Sequence, residues 1–200
     1  MGRPTVPSRV HTGQRIQETA VQLFYEKGYK ATTIRDIAKA SGLTPGAIYN
    51  HYLSKDDILY AIIRWSHDEL DRDLAEALRT SANTPLARLG CAARAFVLRH
   101  TQYPEAARVT NREYRAVTEV RRKEIVGRRR ETRALFQRLI DEAASTDEGG
   151  KISSDRVMIT SMGVINMMIM VAEWYKDGGQ LSAEAVAEHH AKLVVRLFVH

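Results

Sequence analysis

Residues 31–52 read ATTIRDIAKASGLTPGAIYNHY, and this stretch decides the fold. Thr33 followed three residues on by Asp36 is a capping signature, a hydroxyl and a carboxylate placed to satisfy each other's backbone amides. Ile34, Ile37 and Ala38 then supply a short apolar face at helical spacing. Ser41-Gly42 breaks that helix. Thr44-Pro45 opens another, with the hydroxyl as cap and the proline at the first helical position, where its missing N–H costs nothing. Upstream, Ile16, Ala20, Leu23 and Phe24 share one face of a helix over residues 14–27, and Gly28 stops it. Three helices with a four-residue joint, Ser41 to Thr44, between the second and third make the pattern of a helix-turn-helix. In the third helix only Ile48 and Tyr52 share an inward face. Gly46 and Ala47 let the backbone approach a partner closely, while Tyr49, Asn50 and His51 lie on the far side. A helix that reads DNA needs amides at its amino end facing phosphate and side chains that reach base edges. Spacing alone leaves a second reading open, a plain three-helix bundle whose tyrosines merely pack.

The period stays helical along the rest of the 200 residues. Ser54 with Asp57 opens a long helix carrying Ile58, Leu59, Ile62 and Leu70 inward. Thr84-Pro85 opens the next, with Leu89, Ala93, Phe96 and Val97, and Tyr103-Pro104 interrupts it. An arginine-rich helix over residues 118–144, a turn over 147–150, a helix over 154–175 that is apolar nearly all round, and a last helix over 182–198 complete the series. No alternating strand pattern and no internal repeat occurs. The expected fold is all-α: a helix-turn-helix domain with a basic arm over residues 1–55, and a larger helical domain over 56–200.

Composition narrows the function. A chain 44% hydrophobic and 27% charged, with 12 Gly and 5 Pro, is neither disordered nor collagen-like. Cys91 is the one cysteine, which removes a disulfide framework and fits a reducing cytosol. Residues 1–19 hold no apolar leader segment, so a cytoplasmic protein is expected. The apolar run 157–172 is interrupted by Thr160, Ser161, Gly163 and Asn166 and falls short of the roughly 20 residues that span a bilayer. The net charge of +6 favours an anionic partner, nucleic acid above all. There is no G-x-G-x-x-G, P-loop or H-E-x-x-H, and the adjacent His189 and His190 diverge around a helix. No enzyme, cofactor or metal site is expected.

The 31–52 stretch resembles the DNA-binding signature of TetR-family repressors, and Leu23-Phe24, Gly28-Tyr29 and Ser54-Lys55-Asp56 fit it as well. The resemblance implies a homodimer that sits on a palindromic operator and lets go when a small molecule fills its carboxy-terminal domain. Carried over by position, the DNA contacts are Thr33, Arg35, Thr44, Gly46, Ala47, Tyr49, His51 and Lys55. Thr33, Tyr49 and Lys55 are expected on phosphate, and Arg35, Ala47 and His51 on bases. The arm with Arg3, Arg9 and Arg15 either adds contacts or is a solvated tail.

A helix apolar all round is buried on all sides, which in a chain of this size asks for a partner against one face. The expected dimer seam is therefore the last two helices, as a four-helix bundle. Methionines adapt to shape and suit a hydrophobic effector. The candidate effector contacts are Trp65, Phe96, Tyr103, Tyr114, Met158, Met162, Ile165, Asn166, Ile169 and Trp174, each also readable as ordinary core. Glu173-Trp174-Tyr175 with Gly178-Gly179 resembles a subset of these repressors that respond to acyl-coenzyme A thioesters of lipid or sterol breakdown. In that case the arginine block from 121 to 130 would meet the coenzyme phosphates; otherwise it is a solvated face balanced by Glu119, Glu124 and Glu131. Three alternatives remain: a regulator of drug efflux that senses a hydrophobic compound, a DNA-binding protein that answers to a protein partner and has no small-molecule effector, and a small helical enzyme using the same pocket, which would demand a titratable pair inside it.

Overall fold

The computed structural model describes residues 9–145 and 153–198, and among them nine helices and no strand occur. They are α1 (Arg9–Lys27), α2 (Ile34–Ala40), α3 (Pro45–Tyr49), α4 (Lys55–Thr80), α5 (Pro85–Gln102), α6 (Pro104–Glu113), α7 (Glu119–Ala144), α8 (Ser154–Trp174) and α9 (Ala183–Arg196). The predicted 147–150 turn and Arg3 lie outside the described residues.

The expected caps form. Thr33 Oγ1 accepts the Asp36 amide at 3.2 Å while Asp36 Oδ2 accepts the Thr33 amide at 2.8 Å, so both orphan donors are satisfied. Thr44, Ser54, Thr84 and Ser182 each accept the amide three residues on, and so fix the starts of α3, α4, α5 and α9. Gly28 and Gly42 take φ of +82° and +65°, the left-handed turns that end α1 and α2. One element is additional to the sequence reading. Past Tyr103-Pro104 the chain re-enters a helix, α6, whose Ala106, Ala107 and Val109 are buried.

Two apolar cores result, and α4 belongs to both. The amino-terminal core joins Ile16, Phe24, Ile37 and Ile48 to Ile58, Leu59, Ile62 and Ile63 of α4, with Val109, Val117 and Ile125 closing it from behind. It therefore extends well past residue 55. The second core takes Leu70 and Leu74 from the same helix and packs them with Phe96, Phe136, Leu139, Met168 and Val194. Helix α9 lies close along α5, where a Cβ on Gly90 would stand 3.1 Å from Val195.

Helix α8 buries Val157, Val164, Met168 and Val171 and leaves Met158, Ile159, Met162 and Met170 exposed. By length and hydropathy Asp155–Trp174 would suffice to cross a membrane, more than the interrupted run 157–172 suggested. Here its buried face belongs to the core shared with α5 and α7.

Helix α3 is held by very little. Of its five residues only Ile48 is buried, and it is fully so. Ile48→Ala should cost about 2–5 kcal/mol, and Ile48→Val about 0.5–1.5 kcal/mol, in urea unfolding. Equal, small losses for both would show that α3 is anchored some other way.

Candidate nucleic-acid interface and interior cavity

The helix-turn-helix presents one polar surface. Thr33, Arg35, Thr44 and Gly46 are exposed, Tyr49 is 50% exposed, and Ala47 is half-buried. Underneath, Tyr52 ties α3 to α1: its hydroxyl accepts from Gln17 Nε2 at 2.7 Å and donates to the Gly13 carbonyl at 3.4 Å. His51 is half-buried, its Nδ1 3.7 Å from where a Cβ on Gly13 would lie, so the ring leans on α1. Arg15 on α1 is exposed.

Lys55 sits differently from the phosphate contact expected of it. Its Nζ donates to the carbonyls of Tyr29 at 2.6 Å, Thr32 at 2.6 Å and Lys30 at 3.3 Å, and it lies 4.4 Å from the Tyr29 ring centroid. An ammonium has three protons, and all three are taken. Lys55 fastens the α1–α2 loop to α4, and burial lowers its pKa. The Thr33 hydroxyl is committed as well, donating to Asp36 Oδ2 at 2.6 Å within its cap.

Behind this module the helices α4 to α8 enclose a cavity of about 240 Å³. Seven of the ten expected effector contacts line it: Trp65, Phe96, Tyr103, Met162, Ile165, Asn166 and Ile169. Three do not. Tyr114 stands behind the wall, with the Arg129 guanidinium 4.0 Å from its ring centroid. Met158 is 48% exposed, and Trp174, 49% exposed, stacks on His190 with centroids 6.2 Å apart. Both lie beyond the stretch of α8, Met162 to Ile169, that lines the cavity. Trp65 and Tyr103, in edge-to-face contact at 5.3 Å, also line a groove of about 700 Å³ that runs beside α1 and Tyr52.

Beyond Asn166, the sequence reading reaches only Arg129 of the polar wall, as part of the arginine block. His67, Arg99, His100, Thr110, Asn111 and Arg129 all line the cavity. The pattern does hold a signal, because Ile63, His67, Leu70 and Leu74 follow the spacing of an inward stripe with a histidine in an apolar slot. Burial, helped by repulsion from Arg129 and Arg128, pushes the His67 pKa down to about 4. Burial, helped by repulsion from Arg99, does the same to His100, whose Nδ1 lies 2.9 Å from the Phe96 carbonyl and donates to it in the neutral ring.

The arginine block is mostly structural. Arg121 pairs with Asp56 and Asp57, and Arg128 reaches Asp68 and Asp71, each at 2.6 Å. These are α4 carboxylates. Of the three glutamates expected to balance the block, Glu119 pairs with Lys123 and Glu124 accepts from Tyr60. Arg129 alone of the block turns into the cavity wall.

Residues 82–198 match the model of the tetracyclin repressor-like carboxy-terminal domain, and residues 16–62 that of bacterial regulatory proteins of the tetR family. The chain belongs to the TetR family. It is a DNA-binding transcriptional repressor of that family and not an enzyme. Among its relatives is the transcriptional repressor KstR2 of Mycolicibacterium smegmatis, 27% identical over 96% of this chain and 93% of that protein. The structure of the ketosteroid regulator KstR2 of Mycobacterium tuberculosis superimposes with a TM-score of 0.84 at 22% identity, covering 98% of this chain and 97% of that one. AibR in complex with isovaleryl coenzyme A and operator DNA gives 0.79 at 23% identity, over 94% and 98%. This TetR-family chain thus shares its fold with both across almost its whole length.

Two of the buried histidines, His67 and His100, make stability depend on pH. Each has a folded pKa of about 4 against an ordinary 6.5, so the unfolded chain binds more protons between those values. The stabilisation is fully present above pH 6.5 and is lost as pH falls toward 4, by at most about 1.4 kcal/mol per pH unit for each ring. Urea midpoints at pH 7 and pH 5 should differ accordingly, and His67→Leu should reduce the slope. A slope that His67→Leu leaves unchanged would mean that His67 titrates normally.

Proposed function

We propose that this repressor is a cytoplasmic homodimer that holds a palindromic operator with two copies of α3 and releases it when a hydrophobic effector occupies the cavity. The observation that carries the reading is the course of α4. Its residues Ile58 to Ile63 are buried in the DNA-binding module, and His67 and Leu70 further along wall the cavity. An effector that displaces the cavity wall of α4 displaces the platform of α3.

The surface for DNA is formed by Arg35, Thr44, Gly46, Ala47, Tyr49 and His51. Arg35 and His51 serve as base contacts and Tyr49 as a phosphate contact. Thr33 and Lys55 act as supports that hold the module in shape. Two recognition helices must lie about 34–36 Å apart to enter successive major grooves. The seam that sets this spacing is the outer face of α8 and α9. Met158, Met162, Met170 and Trp174 repeat every fourth residue or a multiple of it along α8, and Leu193 and Leu197 do the same on α9, all exposed in the single chain. Contiguous exposed apolar residues of this kind mark an interface. Asn166 lies in the same row and also lines the cavity, so the seam and the effector site share a helix wall.

An acyl-coenzyme A thioester is one effector class in keeping with the AibR complex, which holds isovaleryl coenzyme A, and a steroid-like compound is another, in keeping with the ketosteroid regulator KstR2. A cavity of about 240 Å³ encloses a compact acyl group and leaves the coenzyme outside. To move the dimer from 1:99 to 99:1 between its operator-bound and released forms, an effector needs about 5.5 kcal/mol of differential affinity.

Two measurements test the reading. Tyr49→Ala and Arg35→Ala should each weaken operator binding about tenfold or more in gel-shift titrations, with effector affinity unchanged. Loss of effector binding alongside would mean that the two functions are not separated as described. Met170→Glu should convert the dimer to a monomer in sedimentation and abolish binding to a palindrome; a dimeric Met170→Glu protein would place the seam elsewhere.

A further inference from the structure

The charge of the cavity wall is unbalanced. Arg99, Arg129 and Arg133 line the cavity, and among the described residues no aspartate or glutamate does. Arg99 is neutralised from outside, by Asp73 at 2.6 Å and Glu69 at 3.4 Å, and Arg133 is exposed to water. Arg129 has neither relief. Its Nη2 donates to the Thr110 carbonyl at 2.8 Å and to Asn111 Oδ1 at 3.4 Å, and its guanidinium lies over the Tyr114 ring. All three partners are neutral. Its neighbours differ: Arg121, Arg128, Arg108 and Arg112 each meet at least one carboxylate.

Two further observations converge on the same corner. Thr110 Oγ1 and His67 Nε2 are buried without a hydrogen-bond partner, and both residues line the cavity beside Arg129. A half-buried cation with no carboxylate partner and buried polar atoms with no hydrogen-bond partner are each costly, and one oxyanion would relieve both. A carboxylate has about four lone-pair sites for such donors, and a guanidinium fork matches its geometry.

We infer that this corner seats a carboxylate, and that the effector is a compact apolar acid. In this arrangement Arg129 faces the carboxylate oxygens, Thr110 Oγ1 and the Asn111 amide donate to them, and the hydrocarbon body rests on Phe96, Ile165 and Ile169. The cavity of about 240 Å³ equals roughly eight water volumes at ~30 Å³ each, room for an acid of medium chain length. The inference rests on the cavity being the effector site, and it selects acids within the hydrophobic class.

The test is calorimetric titration of the full chain with octanoate, octanamide and octanoyl-coenzyme A. Octanoate should bind at least tenfold more tightly than octanamide, roughly 1.4 kcal/mol, and Arg129→Gln should erase that preference while Arg129→Lys retains part of it. Should Arg129→Gln fail to fold, Thr110→Val and Asn111→Leu supply the same readout, a loss of octanoate affinity with octanamide unaffected. Equal affinities for acid and amide, an acid preference that survives Arg129→Gln, or no binding of either compound would overturn the inference. Octanoyl-coenzyme A has no carboxylate and should not respond to Arg129→Gln. A loss equal to that of octanoate would put a phosphate on Arg129 and also overturn it. Adding operator separates this claim from the effector reading. Acid-selective, Arg129-dependent binding that leaves operator affinity unchanged supports the carboxylate seat and sinks the effector reading. Release of operator by octanamide as effectively as by octanoate does the reverse.

Discussion

One helix buried in two cores is the constraint on which the rest of the molecule depends. Helix α4 has 26 residues, about 39 Å at 1.5 Å per residue. Ile58, Leu59, Ile62 and Ile63 are fully buried near one end, and Leu70 and Leu74 are buried further along in a different cluster. Close-packed interiors transmit displacement and do not absorb it. The DNA-binding module therefore cannot turn against the body without disturbing α4.

Charge braces this arrangement. Arg121 and Arg128 of α7 grip α4 at Asp56 and Asp57 and again at Asp68 and Asp71. Pairs at such partial exposure are worth little each, on the order of a kcal/mol or less, but their placement fixes the angle at which α7 crosses α4. Helix α6 supplies a second tie. Arg108 donates to the last carbonyls of α8, at Ala172 and Glu173, where a cation also complements the helix dipole, and the same guanidinium reaches the Tyr25 hydroxyl on α1. One residue of α6 thus ties the end of α8 to the DNA-binding module.

Local chemistry was legible in the sequence and long-range partnership was not. The capping threonines and serines, the glycine stops and the inward pair Ile48 and Tyr52 rest on interactions within a few residues, and each was readable from its spacing. Seven cavity residues were also found, because Trp65, Phe96 and the α8 stripe are apolar residues at helical period. What the sequence could not disclose was which polar residues face inward. Lys55 looks like any exposed cation until the carbonyls of the α1–α2 loop fold over it. Arg129 is indistinguishable from Arg128 until α7 is docked and a single residue step turns one side chain outward to aspartates and the next inward. Helix α6 escaped because its apolar content is alanine and one valine, too weak a stripe to stand out after Tyr103-Pro104. Met158 and Trp174 were misplaced for the opposite reason, since a helix apolar on every face does not reveal which of its turns line the cavity.

The rigidity of α4 is the claim most open to direct measurement, and it needs neither operator nor effector. Hydrogen exchange followed by mass spectrometry on the intact chain reports the opening free energy along the helix. Residues 58–63 and 67–74 should be protected to the same degree, with no break between them, because both stretches are held in packed cores joined by unbroken helix. A fast-exchanging segment between the two stretches would reveal a hinge there, and would contradict the view that cavity and recognition helix move as one.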